Sequence, residues 1–209
     1  MDSRSIAQRI VAIFLIGAGF CFPTFAGPMP RIYPPDVRRI YSQDFNLPLL
    51  DPVAPGESAM TEAIIEVPDS FVITDLDVRI DITHTLVFDL QFILEGPTGA
   101  WLCLNKYEFT EFFKGENYTN TIFDDEAEIS IEDANAPFTG RFRPEPGYLL
   151  ECFDGADAYG TWRLQIYDMW PVHTGTLDRL ELIFNIPEPT SALLMTFGAT
   201  ILTLHRKKR

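Results

Sequence analysis

The residues that could do chemistry in this sequence are few, and the histidines come first. Between residues 27 and 186 there are two of them, His84 and His173. The sequence contains no G-x-S-x-G motif for a serine nucleophile and no H-E-x-x-H motif for zinc. His84 falls on the apolar side of an alternating segment, where a histidine more often completes a buried hydrogen-bond network than transfers a proton. The sequence therefore predicts no catalytic residue, and His173, in a turn, is expected to be exposed.

Carboxylates are the second set of candidates. Asp124 and Asp125 open a dense acidic segment, and Asp89 directly precedes the candidate strand Leu90–Glu95. Ca²⁺ takes six to eight oxygen ligands at about 2.3–2.6 Å, which clustered carboxylates can supply. The spacing is not that of an EF-hand loop, and acidic runs also form ordinary solvated surfaces. Calcium at Asp89, Asp124 and Asp125 is the specific prediction, the solvated surface stays open beside it, and no other cofactor is predicted.

Two cysteines, Cys103 and Cys152, lie within the region that is expected to fold. In an oxidising compartment such a pair can form a disulfide. A buried free cysteine also behaves as a small apolar residue. The sequence leaves both states open.

These candidates are positioned by a run of short strands. From Asp75 to Ile82, apolar residues at even positions alternate with charged residues at odd positions, the pattern of a strand with one solvated face. Between Thr61 and Ile186 no helical periodicity is evident, and turn residues recur frequently. The sequence predicts an all-β, two-sheet sandwich over residues 59–186. The further candidate strands are Ala63–Val67, Leu90–Glu95, Trp101–Leu104, Thr119–Phe123, Trp162–Tyr167 and Thr176–Phe184.

Two intervals lack such a pattern. Residues 27–58 are rich in proline, which predicts a linker or an extended strap laid over the domain. The acidic interval from Phe112 to Arg143 is expected to be mostly loop. Of the three tryptophans, Trp162 alternates with Leu164 and is expected in the core, whereas Trp170 is the better candidate for an exposed contact.

The ordered motifs of this middle region resemble the P domain, also called P/Homo B, of kexin-like and furin-like proprotein convertases and of bacterial subtilisin-like proteases. The resemblance spans about 120 residues. It implies a jelly-roll β-sandwich that accompanies a serine protease. The chain departs from the pattern at Val87-Phe88, where the family usually has a polar residue and Gly. The segments that carry it are Val78–Thr85, Asp89–Gly99, Phe123–Ala127, Tyr148–Leu150, Phe153–Gly155, Gly160–Leu164, Gly175–Leu177 and Arg179–Phe184.

The charge balance restricts the partners. The chain has 16 Lys and Arg against 30 Asp and Glu, for a formal net charge of −14 and a pI near 4.5. Nucleic acid is therefore an unfavourable partner, because binding phosphates requires a basic surface. An acidic exterior favours cations or serves solubility.

The N-terminus has the order of a secretory signal peptide over residues 1–26. Arg4 and Arg9 precede an apolar run from Ile10 to Phe22, and small residues precede a predicted cleavage after Ala26. The apolar run is shorter than the roughly 20 residues that span a bilayer, so export and cleavage are favoured over a retained anchor.

The C-terminus, residues 187–209, combines a Pro-Glu-Pro triplet, an apolar segment and a basic end. The triplet is Pro187, Glu188 and Pro189; the basic end is Arg206, Lys207, Lys208 and Arg209. The apolar segment, Thr190 to Leu204, is a short transmembrane helix candidate, at roughly 22 Å against a hydrocarbon core of about 30 Å, so its membrane insertion is expected to be transient. The basic end is expected to stay cytoplasmic, which leaves the folded region outside.

This ending resembles the PEP-CTERM sorting signal of exopolysaccharide-producing Gram-negative bacteria, in which an exosortase-type membrane protease removes the tail. The resemblance implies an exosortase-type partner and a destination at the cell surface, the outer envelope or the extracellular matrix. An ordinary C-terminal anchor is the alternative, and it also leaves the domain exported.

Taken together, these features predict a non-catalytic, exported surface or matrix protein whose β-sandwich binds a partner or stabilises an assembly. Exopolysaccharide and envelope proteins are the candidate partners. The second hypothesis is an accessory domain that acts in trans with a separately encoded subtilisin-like protease. An independent carbohydrate-active enzyme is the third.

Overall fold

A computed structural model describes residues 37–107 and 115–186. These residues form an all-β fold of two sheets, as the alternating pattern predicts. Three 3-10 helices of three or four residues lie in the connections, at Val87–Asp89, Ile131–Asp133 and Leu150–Phe153. The strands of the described region are β1 (Val37–Pro48), β2 (Ala59–Val67), β3 (Asp75–His84), β4 (Leu90–Glu95), β5 (Trp101–Asn105), β6 (Tyr118–Phe123), β7 (Phe138–Phe142), β8 (Gly160–Asp168) and β9 (Gly175–Ile186).

The two sheets have the strand orders β1-β9-β3-β6-β7 and β2-β8-β4-β5. All neighbouring strands are antiparallel except β6 and β7, which are parallel. The chain passes from one sheet to the other at most connections, and β4–β5 is a hairpin within the four-stranded sheet. The sandwich is thus built from pairings between strands that are distant in sequence, such as β3 with β9.

Alternation along each strand decides which residues reach the core. In β4 every second residue is buried, with Leu90, Phe92 and Leu94 on the inward face. The inward residues of β3 and β9 are paired across the five-stranded sheet, as in Val78 opposite Leu182. Because a strand presents successive side chains to opposite faces, the intervening residues of each strand lie on the outer sides of the two sheets.

Trp162 lies at the centre of the core, as the sequence predicts. Its side chain is fully buried, with ring centroids 4.9 Å from Phe153 and 5.5 Å from Phe184 in edge-on geometry. The indole N–H donates to the carbonyl of Ala158 at 3.0 Å, so its one polar group is satisfied. Edge-on aromatic contacts of this kind add to the free energy gained by apolar burial.

One strand lies within the proline-rich segment for which the sequence predicts a linker or strap. β1 pairs with β9 over most of its length, with an irregularity between Asp44 and Leu47, where Asn46 has a φ of +48°. β1 is an edge strand and most of its side chains are exposed or half-buried. Its alternation is therefore weak, which is why no strand pattern is visible in the sequence.

A second strand, β7, lies in the interval that was expected to be mostly loop. It is five residues long, and only Phe138 and Phe142 are buried. Gly140, at its centre, has a φ of +110°. The strand is recruited by its parallel pairing to β6, a long-range contact that a local pattern does not reveal.

The predicted signal peptide and its cleavage residue Ala26 lie outside the described residues. So do the Pro-Glu-Pro triplet, the apolar segment and the basic end of the tail. Within residues 37–107 and 115–186, no helix is long and apolar enough to cross a membrane.

We expect Trp162→Ala to lower the free energy of unfolding by about 3–5 kcal/mol, because it removes a fully buried aromatic group and leaves a cavity. Trp101→Ala, at a side chain that is 56% exposed, is the matched control and should cost less than about 1 kcal/mol. Urea denaturation followed by circular dichroism measures both. Equal losses in the two variants would contradict this assignment of the core.

Candidate functional site

A buried histidine joins the two sheets at one end of the sandwich. His84 ends β3 in the five-stranded sheet, and Asp168 ends β8 in the four-stranded sheet. Nε2 of His84 lies 3.3 Å from Oδ2 of Asp168, and both side chains are at least 98% buried. Nδ1 of His84 lies 2.9 Å from the carbonyl oxygen of Leu86. Both ring nitrogens thus have partners inside the protein, and the imidazole has no open side for a substrate.

The surroundings of His84 are fixed by backbone contacts. The backbone N–H of His84 donates to Oδ1 of Asn117 at 3.0 Å. The N–H of Trp170 donates to Oδ1 of Asp168 at 3.1 Å. Gly175 passes so close that a Cβ there would lie 2.4 Å from Cδ2 of His84 and from the carbonyl oxygen of Thr83. Glycine at this position is required by the close approach of β9 to the imidazole.

A second histidine–carboxylate pair lies beside the first. Nδ1 of His173, in the β8–β9 connection, is 2.6 Å from Oδ2 of Asp89, and the two side chains are 34% and 8% exposed. Burial raises the pKa of Asp89 above its ordinary value, and the His173 imidazole partly offsets this. The N–H of Met169 donates to the carbonyl oxygen of Asp89 at 2.9 Å. His173 was expected to be an exposed turn residue; instead it binds a largely buried carboxylate, and no sequence signal linked two residues 84 positions apart.

The carboxylates predicted to bind calcium are not brought together. Asp89 pairs with His173, as described above. Asp124 accepts a hydrogen bond from the Arg141 guanidinium and one from the N–H of Glu126. Asp125 accepts the N–H groups of Leu150 and Glu151 at 3.0 and 2.8 Å, at the start of the third 3-10 helix. No group of three metal-ligating side chains with suitable geometry occurs in the part of the chain that the structure describes. Each of the three carboxylates has a hydrogen-bond partner within the protein, and calcium at this set stays a prediction.

Asp124 belongs instead to an acidic cluster on the outer side of the five-stranded sheet. The Arg141 guanidinium bridges Asp124 and Asp77, donating to Oδ2 of Asp77 at 2.7 Å. Burial, with the nearby Asp124 and Asp75 carboxylates, raises the pKa of Asp77 to about 6 against the pull of Arg141. Burial and the same two carboxylates raise the pKa of Glu126 to about 7. The cluster therefore holds carboxyl groups that take up protons near neutral pH.

The two cysteines are free thiols in the structure. Cys103 is buried, and burial raises its pKa to about 11; Cys152 is exposed. A disulfide between Cys103 and Cys152 stays a prediction. A thiol with a raised pKa is a poor nucleophile, because the thiolate is the reactive form.

Trp170, the tryptophan singled out as an exposed contact, is half-buried and lines a cavity of about 190 Å³. The cavity also borders Glu57, Ser58, Tyr107 and Met169. It lies beside the histidine pairs, since the backbone of Met169 and Trp170 donates to Asp89 and Asp168.

The sequence profile of the Proprotein convertase P-domain family matches residues 73–184. This segment contains β3 to β9 almost completely and both histidine–carboxylate pairs. The chain belongs to the proprotein convertase P-domain family. P domains are non-catalytic domains that are usually attached to serine proteases. The family accounts for the fold around His84, whereas β1 and β2 lie before the matched segment.

The solved structures that match the chain include the serine protease of Aeromonas sobria in complex with the chaperone ORF2. That match has 16% identity and a TM-score of 0.46, and covers 75% of this chain and 28% of that one. The serine protease of Aeromonas sobria alone matches at 15% identity and a TM-score of 0.42, over 73% and 27% of the two chains. FlhE matches at 11% identity and a TM-score of 0.38, and the match covers 72% of this chain and 98% of FlhE. The chain thus spans less than a third of the Aeromonas proteases, and no curated protein matches it.

The described P domain contains no serine–histidine hydrogen bond. Ser70 donates to Asp157, and the hydroxyl of Ser130 is buried without a partner. The imidazoles of His84 and His173 contact carboxylates and backbone. A nucleophile–base–orienting carboxylate arrangement requires a hydroxyl within hydrogen-bond reach of the imidazole, and residues 37–107 and 115–186 do not supply one.

We expect His84→Ala to lower the free energy of unfolding by about 3–5 kcal/mol, because it leaves the Asp168 carboxylate buried without its partner. His173→Ala should cost clearly less, since water reaches that side of Asp89. Thermal and urea unfolding of the two variants measure the difference. A His84→Ala protein as stable as the wild type would contradict the structural role of this imidazole.

The raised pKa of Asp77 predicts a pH dependence of stability. Between its unfolded pKa, near 4, and its folded pKa of about 6, the folded state binds a proton that the unfolded state has lost. The stabilising contribution of Asp77 to the free energy of unfolding is therefore fully present below about pH 4, and it is lost as the pH rises through about 6. The wild type should gain stability relative to Asp77→Asn when the pH falls from 7 to 4.

Asp44→Asn is the control for this experiment, because Arg179 lowers the pKa of the exposed Asp44 carboxyl. The stabilising contribution of Asp44 is lost only below about pH 4, so the difference in stability between the wild type and that variant should change little from pH 7 to 4. Urea unfolding in a series of buffers measures both differences. A wild-type advantage over Asp77→Asn that shrinks on acidification would contradict the raised pKa.

Proposed function

We propose that this protein is a non-catalytic, exported P-domain protein of the bacterial surface or extracellular matrix, and that its sandwich binds a partner or stabilises an assembly. The N-terminal signal peptide would direct export, and the PEP-CTERM-like tail would sort the domain through an exosortase-type enzyme. The proposal rests on family membership and on the sequence of the two ends.

The observation that carries the non-catalytic role is the use of both imidazoles in the described domain. His84 is enclosed between the sheets, and His173 is held against Asp89. A general base must reach the proton that it abstracts, and His84 reaches only Asp168 and the backbone. Two of the carboxyl groups with raised pKa values, Asp77 and Glu126, lie in the cluster in which Arg141 bridges Asp77 and Asp124.

The second candidate function is an accessory domain that acts in trans with a separately encoded subtilisin-like protease. Family membership favours it, because P domains usually accompany such proteases. The exposed apolar residues Val53, Val172 and Tyr159, at 91%, 80% and 60% exposure, would offer contact area to such a partner.

The test is mass spectrometry of the mature protein from its native host, together with assays on peptide and glycan panels. We expect an N-terminus at Gly27, loss of the residues that follow the Pro-Glu-Pro triplet, and no turnover of either panel. A product that retains Met1 and His205, or hydrolysis abolished by His173→Ala, would contradict the proposal. Co-purification with a subtilisin-like protease would favour the accessory role.

A further inference from the structure

The outer side of the four-stranded sheet, here called the outer face, carries a mixture of aromatic, amide, acidic and aliphatic side chains. Its outward positions come from all four strands: β2, β8 and β4 alternate between buried and half-buried or exposed residues, whereas β5 contributes the exposed Trp101 alone. The residues of the outer face are Met60, Glu62, Ile64, Glu66, Gln91, Ile93, Glu95, Trp101, Thr161, Arg163, Gln165 and Tyr167.

Strand register places these side chains in rows. Trp101 lies opposite Glu95, Glu95 opposite Arg163, and Arg163 opposite Ile64. Two rows further along the strands, Tyr167 lies opposite Gln91 on one side and Met60 on the other. From strand spacing and rise per residue, Trp101 and Tyr167 are separated by about 17 Å. The outer face therefore has an aromatic residue towards each of two diagonal corners.

The aromatic rings are accessible. Trp101 is 56% exposed, and its ring centroid lies 6.2 Å from that of Tyr148, which is 37% exposed. Tyr167 is half-exposed and its hydroxyl donates to Oε1 of Gln165 at 3.2 Å. An exposed aromatic ring beside polar groups can stack on a molecule that has an apolar face and polar edges.

The centre of the outer face is polar. Gln165 lies between Glu62 and Ile93, and Arg163 donates to Oε2 of Glu62 at 2.9 Å. Glutamine offers two donors and an acceptor, and a carboxylate offers acceptors, a set that matches hydroxyl groups, which both donate and accept. The central part of a protein–protein interface is depleted in Glu, so the Glu62 carboxylate at the centre of the outer face is unfavourable for a protein partner.

The charges of the outer face exclude one class of polymer. Its described residues include the carboxylates of Glu62, Glu66 and Glu95 and the guanidinium of Arg163, so it is net negative. An anionic polysaccharide would be repelled, as it would be by the acidic chain in general. A neutral polysaccharide incurs no such repulsion and presents hydroxyls to the amides and carboxylates.

We propose that the outer face binds a neutral, hydroxyl-rich polysaccharide, with sugar rings stacked on Trp101 and Tyr148 at one corner and on Tyr167 at the other. Gln91, Gln165 and Glu95 hydrogen-bond the hydroxyls between them. This inference rests on the proposed binding role of the exported domain and names the ligand class.

The experiment is affinity electrophoresis of the mature protein in gels that contain hydroxyethylcellulose, a galactomannan or, as the polyanion, alginate. We expect retardation by a neutral polysaccharide and none by alginate. Trp101→Ala and Tyr167→Ala should each weaken binding about tenfold. Tyr159→Ala is the matched control, because this tyrosine is 60% exposed and precedes β8 outside the outer face. It should bind as the wild type does.

The proposal is overturned if neither neutral polysaccharide retards the protein, if alginate retards it, or if the three variants bind alike. It is also overturned if Trp101→Ala and Tyr167→Ala abolish capture of a protein partner instead. Unfolding midpoints equal to that of the wild type exclude misfolding of a variant. Release of reducing ends from the gel polysaccharide would contradict the non-catalytic role, so the two proposals fail by different readouts.

Discussion

The contact between His84 and Asp168 is the constraint on which the rest of the domain depends. It joins the end of β3 to the end of β8, one from each sheet, at 98% burial or more. A buried carboxylate is tolerated only when it is paired and hydrogen-bonded, so the loops around it are organised to satisfy it. The backbone N–H of Trp170 bonds the second oxygen of Asp168, while Asn117 and the close approach of Gly175 hold His84 in place.

The same constraint explains why a domain rich in ionisable groups is proposed to lack catalysis. His84 holds the two sheets together through Asp168. The neighbouring pair of Asp89 and His173 holds the start of β4 against the β8–β9 connection. Binding of a partner would then use the outer sides of the two sheets. The outer side of the five-stranded sheet carries the acidic cluster bridged by Arg141, whereas the outer face carries aromatic rings and amides. The two outer sides of the sandwich differ in chemistry because outward side chains do not pack in the core and therefore need not be apolar.

Much of the fold could be predicted from local alternation. The strand at Asp75–His84, the inward Trp162 and the buried His84 all follow from period-2 patterns, and most of the P-domain motifs lie on strands. β1 and β7 could not be predicted, because edge strands expose most of their side chains and are held by distant partners. The candidate calcium ligands illustrate the same limit. Asp124 and Asp125 are adjacent in sequence, yet one binds Arg141 and the other caps Leu150, since contacts in a sandwich are set by sheet register.

The central claim is that the His84 imidazole serves cohesion between the sheets, and a double-mutant cycle tests it most directly. His84→Ala, Asp168→Ala and the double variant are compared with the wild type by urea unfolding. The claim predicts that the double variant loses less than the sum of the single losses, with a coupling free energy of about 1–3 kcal/mol. Losses that add to within about 0.3–0.5 kcal/mol would contradict it, because two side chains that do not interact behave independently.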